Sequence, residues 1–109
     1  MKKIMSVVLE PDKIQNVMIP TGATILGVAV ELNPLMSHPN RDEFLTCPSL
    51  HFMCDPSMPP ERREIIMMDA NGGGSLDNVM PDGEHSYIGH VTLWPGEMTQ
   101  STFHIFERM

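Results

Sequence analysis

Basic side chains are scarce in this chain: seven Lys and Arg against 14 Asp and Glu over 109 residues, a formal net charge of −7. They form no stripe, and duplex nucleic acid demands clustered cations to neutralise phosphates. Nucleic acid is therefore not an expected partner. The acids are scattered too, so solubility explains the charge better than mimicry of DNA. Long apolar runs are also missing, and nothing approaches the roughly 20 residues of a membrane span. The opening Met-Lys-Lys-Ile-Met-Ser lacks the longer apolar core and small-residue cleavage site of a secretory leader. The expectation is a cytoplasmic protein with no membrane partner.

Cysteine is limited to Cys47 and Cys54. In a reducing compartment such a pair usually serves as small buried hydrophobes, and whether they bond to each other stays open. No helical stripe of ten or more residues occurs. What is present is a 41% hydrophobic fraction and a mean hydropathy of −0.11, enough for one folded domain over residues 1–109. A domain of this size has little core to spare, so a homo-oligomer would help it. The 11 methionines suit irregular core gaps or contact surfaces.

Strand formers recur along the chain. Residues 2–9 end at Glu10-Pro11-Asp12. Residues 14–19 set Gln15, Val17 and Ile19 on one face, and Pro20-Thr21-Gly22 reads as a type I turn. Residues 24–32 alternate, with Leu26, Val28, Val30 and Leu32 on one face and Ile25, Gly27, Ala29 and Glu31 on the other. Residues 33–43 hold two prolines and read as a loop. Residues 44–55 read as a strand region interrupted by Pro48, with Leu50, Phe52 and Cys54 on one face. The strand expected over 62–69 is close enough to pair with it as a hairpin. A long irregular stretch covers 70–85, before strands at 86–94 and 99–107. Seven short strands with regular turns predict an all-β fold, a single antiparallel sandwich or small barrel.

Motifs for chemistry are weak. Gly72-Gly73-Gly74-Ser75 lacks the Lys-Ser/Thr pair of a phosphate loop. Asp69-Ala70-Asn71 opens like a calcium loop but reaches Met80 where the bidentate Glu belongs. Cys47, His51 and Cys54 have no zinc spacing. Ser75 has no nucleophile elbow, and neither cysteine sits beside an obvious base. Asp77, Asp82, Glu84 and His85 crowd one loop, but a polar loop is ordinarily just solvated. No catalytic residue, metal ligand or cofactor is assigned, and the chain is not expected to be an enzyme. Loops more often carry contact residues. The polar loops 33–43 and 70–85 are the expected contact surface, and Arg41, Asp42, Arg62, Arg63, Asp82 and His85 are candidates for partner binding, with Trp94 beside Pro95-Gly96 as an anchor.

Several segments together carry a resemblance: Lys3-Ile4, Gln15-x-Val17-x-Ile19-Pro20-x-Gly22-Ala23-x-Ile25-Leu26-x-Val28, Tyr87-Ile88-Gly89-x-Val91 and Phe103-His104-Ile105-Phe106-Glu107. The chain resembles a family of small uncharacterised bacteriophage and prophage proteins, a domain of unknown function. Their shared features are an opening Pro-x-Gly-Ala hairpin and closing Tyr-Ile-Gly and Phe-His-x-Phe-Glu strands. His51 and the long segment 33–48 depart from the pattern, which implies a middle adapted to this protein's own target. The resemblance implies a phage accessory protein in the cytoplasm of the bacterial host. Such a protein would inhibit a bacterial defence or host factor by direct protein binding. Two alternatives stand beside this: an oligomeric sponge for a nucleotide second messenger, using Arg62, Arg63 or Gly72–Gly74, and a minor virion or assembly component.

Overall fold

A computed structural model describes residues 1–10, 14–32, 46–69, 82–93 and 101–109. Seven antiparallel strands account for most of them: β1 (Lys3–Val8), β2 (Ile14–Pro20), β3 (Thr24–Leu32), β4 (Thr46–Cys54), β5 (Pro60–Asp69), β6 (His85–Leu93) and β7 (Ser101–Arg108). They form a three-stranded sheet, β1-β4-β3, and a four-stranded sheet, β2-β5-β7-β6. The fold is all-β, as the period-two pattern predicts.

The core lies between the sheets. Leu50, Phe52 and Cys54 of β4 meet Val17 and Ile19 of β2, Ile65 and Met67 of β5, Val91 and Leu93 of β6, and Phe103 and Ile105 of β7 in one buried cluster. Each set is every second residue of its strand, so one face of each sheet turns inward. β5 is buried on both faces, because Ile66 and Met68 are covered as well.

Strand pairing departs from the sequence-based expectation. Neither residues 20–23 nor residues 55–59 close a hairpin; both carry the chain from one sheet to the other. The two crossings run together. Thr21 donates from N–H and Oγ1 to the Pro59 carbonyl at 2.9 and 2.6 Å. The turn itself sits one residue later than predicted. Ala23 N–H bonds the Pro20 carbonyl at 3.1 Å, and Gly22 takes φ +82°, the third position of a type II turn. Glycine is needed there because a side chain would strain at that φ.

Two further expectations are corrected. Pro48 does not interrupt β4. Its carbonyl accepts Leu9 N–H at 2.9 Å just past the end of β1, so the donor that proline lacks falls where the β1 ladder stops. In β3 the alternation breaks between Ile25 and Gly27, where a bulge inserts one residue. Ile25 therefore joins Val28 against the core, and Leu26 is turned out. A matching irregularity falls between Tyr87 and Gly89 in β6. Cys47 and Cys54, seven apart, lie on opposite faces of β4 and are free thiols. Burial, with Glu31 nearby, pushes the Cys47 thiol up.

The 55–59 crossing starts with an Asp-Ser turn. The Asp55 carboxylate accepts from Ser57 Oγ at 2.7 Å and from Ser57 N–H at 3.0 Å. The hydroxyl and then the amide hold this carboxyl below its ordinary value. Its stabilising share is complete above the ordinary aspartate range and fades as pH falls through the lowered native value. In Ser57→Ala the Asp55 carboxyl is expected to titrate closer to its ordinary value, followed by NMR against pH. An unmoved titration would show that the hydroxyl does not hold it.

Candidate functional site

Parity decides where the candidate cations go. Arg63 shares the inward face of β5 with Ile65 and Met67, and Glu107 shares that of β7 with Ile105 and Phe103. The two meet at one end of the core. Arg63 Nε and Nη2 both bond the Glu107 carboxylate, the latter at 2.9 Å, and Nη1 donates to the Ala23 carbonyl at 2.9 Å. The Glu107 hydrogen bond, ahead of the opposing burial, raises the Arg63 pKa above its ordinary value. This fork lines a cleft of about 520 Å³ between the starts of β3 and β6, together with Thr24, Gly27, Ser86 and Tyr87 among others. With its donors committed, Arg63 serves to close the core rather than to present a free cation.

Arg62 and Arg108 lie on the outward face of the four-stranded sheet. Arg108 sits 3.4 Å from Glu64 and pairs across strands with His85. Arg62 is exposed and has no carboxylate partner among the described residues. Arg62, Arg63 and Arg108 border one depression of about 380 Å³ that also includes Glu64 and Glu107. Asp82 is exposed just ahead of β6, and His85 Nε2 is buried without a hydrogen-bond partner among the described residues. Along the same face Tyr87 OH bonds His104 Nδ1 at 2.8 Å and packs edge-on against Phe106. Arg41, Asp42 and Trp94 lie outside the described residues, as do loop residues 33–43 and 70–81. Among the described residues no group of three or more His, Cys, Asp or Glu could hold a metal ion.

The outward face of the three-stranded sheet is different in kind. Ile4 is 67% exposed, Val8 53% and Leu26 51%. Ile4 and Leu26 flank a shallow groove of about 320 Å³ with Gly27, Ala29 and His51, more apolar than polar in its lining. Small residues on β3 make the groove, and the bulge supplies the protruding Leu26. A charged group lies at its side: His51 Nε2 is 3.3 Å from Glu31 Oε1, an ion pair whenever the imidazole is protonated. Sequence reasoning assigned no role to Ile4, Val8 or Leu26. A glycine inside an alternating strand is the signal for a bulge, and Gly27 gives it.

Comparison with known proteins finds no matching family model, no matching curated sequence and no matching solved structure. What the geometry itself defines is a class: an antiparallel two-sheet β protein with a charge-closed core end and, among the described residues, exposed apolar side chains on one sheet face.

Proposed function

We propose that this chain is a binding protein rather than a catalyst, a phage accessory protein that inhibits a bacterial defence or host factor by direct protein contact. The contact is made through the outward face of the three-stranded sheet, in the bacterial cytoplasm. One observation carries this reading: Ile4, Val8 and Leu26 stand exposed on one sheet face, with Ile4 and Leu26 lining an apolar groove. Exposed apolar residues gathered in this way, with charged groups beside them, mark protein contact surfaces. The phage setting rests on the Pro20-x-Gly22-Ala23 and Phe103-His104-Ile105-Phe106-Glu107 resemblance. A nucleotide sponge is less well supported, because phosphate would have to displace Glu107 from Arg63 and Glu64 from Arg108.

Leu26→Glu tests the assignment. Placing a carboxylate at a buried apolar contact of a protein interface weakens binding about tenfold or more. The tagged protein should recover a stoichiometric bacterial protein from defence-bearing cells and restore phage plating on them. Leu26→Glu should lose both while keeping the wild-type circular dichroism. If the variant keeps both, this face is not the contact surface.

A further inference from the structure

Two histidines stand opposite one another on the outward face of the four-stranded sheet. Val91 and Leu93 of β6, with Phe103 and Ile105 of β7, lie in the core, so His90 and His104, of the other parity, point away from it. The strand register pairs them directly, and their ring centres are 6.0 Å apart. They are too far apart in sequence to show a ligand spacing, and only the pairing of β6 with β7 brings them together. His90 is exposed and His104 half-buried. The Nδ1 of His104 is engaged, with Tyr87 OH 2.8 Å from it.

We propose that His90 and His104 form a two-histidine site for a divalent transition-metal ion, copper(II) ahead of the others, with Tyr87 as a positioning residue. The step from facing pair to chelate is short. Metal–nitrogen bonds of about 2.0–2.1 Å put two imidazoles that share one ion roughly 5–6 Å apart between ring centres. The two rings already stand at the upper end of that span. Tyr87 decides which nitrogen of His104 is offered. In the tautomer whose Nδ1–H donates to the Tyr87 oxygen, Nε2 holds a free lone pair. A hydrogen bond at the far nitrogen is the usual support of a ligating imidazole, because it fixes both tautomer and ring orientation.

The surroundings choose the ion. Calcium and magnesium take oxygen ligands, and among the described residues no third His, Cys, Asp or Glu joins the pair. Two imidazoles with the remaining positions left to water suit copper, nickel and zinc, and of these copper(II) binds a given nitrogen site most tightly. No Lys or Arg stands opposite either histidine to repel a cation, since His104 faces Met68 on its other side. The net charge of −7 favours cations near the chain as a whole. Neither of the other described histidines has this arrangement. His51 lies opposite Ser6 and Gly27 and 3.3 Å from Glu31, and His85 lies opposite the cation Arg108.

The test titrates copper(II) chloride into the full chain, followed by calorimetry and by electron paramagnetic resonance. A bound ion with two nitrogen ligands is expected. His90→Gln and His104→Gln each leave a single imidazole, and should weaken binding by at least about 100-fold, the upper end of what losing a supporting partner alone costs. Tyr87→Phe keeps both ligands, so it should retain the two-nitrogen spectrum and the wild-type circular dichroism while binding about tenfold more weakly. His51→Gln should bind as the wild type does. A wild type without the two-nitrogen spectrum, or a His90→Gln or His104→Gln variant with undiminished affinity, would overturn the site. An undiminished Tyr87→Phe would overturn the positioning role, and tighter binding of zinc than of copper would overturn the choice of ion. Leu26 lies on the other sheet, so Leu26→Glu should leave copper binding intact; loss of host contact and loss of the metal site are read separately.

Discussion

Phe52→Ala is expected to lower the thermal midpoint by about 15 °C or more, from a loss of about 3–5 kcal/mol. Phe52 is 3% exposed and sits on β4, the middle strand of the three-stranded sheet. Met5 of β1 and Ile25 of β3 are its cross-strand neighbours, and it belongs to the cluster that joins the two sheets. Truncation removes the transfer energy of the ring and leaves a hole that strands hydrogen-bonded on both sides cannot easily collapse into. A domain of this kind has only about 5–15 kcal/mol of total stability, so the loss is a large share of it. Met53→Ala, one residue along and facing outward, should cost far less. Differential scanning calorimetry of the two variants checks the contrast. Equal shifts would mean that the inward face of β4 is not where the stability lies.

The strands themselves are legible because period two is a local property. All seven runs of Val, Ile, Met and aromatic residues become strands. Which strand pairs with which is not local. A short connection suggested that 44–55 and 62–69 form a hairpin, yet β4 and β5 belong to different sheets. Loop length limits the reach of the chain but does not choose between pairing alongside and crossing over. The face of Leu26 was misread for a related reason. Alternation predicts faces only while the count is unbroken, and the extra residue, Leu26, lets Ile25 and Val28 both face the core while Leu26 itself is turned out.

The candidate site was less legible. Arg63 reads as an available cation when taken alone. Its parity with Ile65 and Met67 is readable in the sequence, but with Ile66 and Met68 equally apolar it does not say which face turns inward. Nor could sequence supply that β5 and β7 are neighbours, which brings Arg63 and Glu107 together.

Arg63→Met is expected to cost about 2–4 kcal/mol, the second large effect, while adding Glu107→Met should recover most of it. The single variant keeps the length and apolar stem of Arg63 but removes the donors from a carboxylate whose side chain is only 12% exposed. A charge stranded at that depth is penalised far more than a paired one is rewarded, so breaking the pair hurts more than deleting it. The remaining exposure, and the 19% of Arg63, admit some solvent screening and keep the figure below that of a fully buried pair. The sign of the pH effect is fixed as well. Because the Arg63 pKa is raised in the native state, its contribution is complete below the unfolded guanidinium value and is lost only as pH climbs through the native one. Arg63 titration therefore adds no slope to stability across the neutral range. Urea unfolding of the wild type, the two single variants and the double variant gives the coupling directly. A single-variant loss under about 1 kcal/mol would place the pair with ordinary surface salt bridges. A double variant as unstable as Arg63→Met would locate the cost in the Ala23 carbonyl left without its Nη1 donor instead of in the unpaired charge.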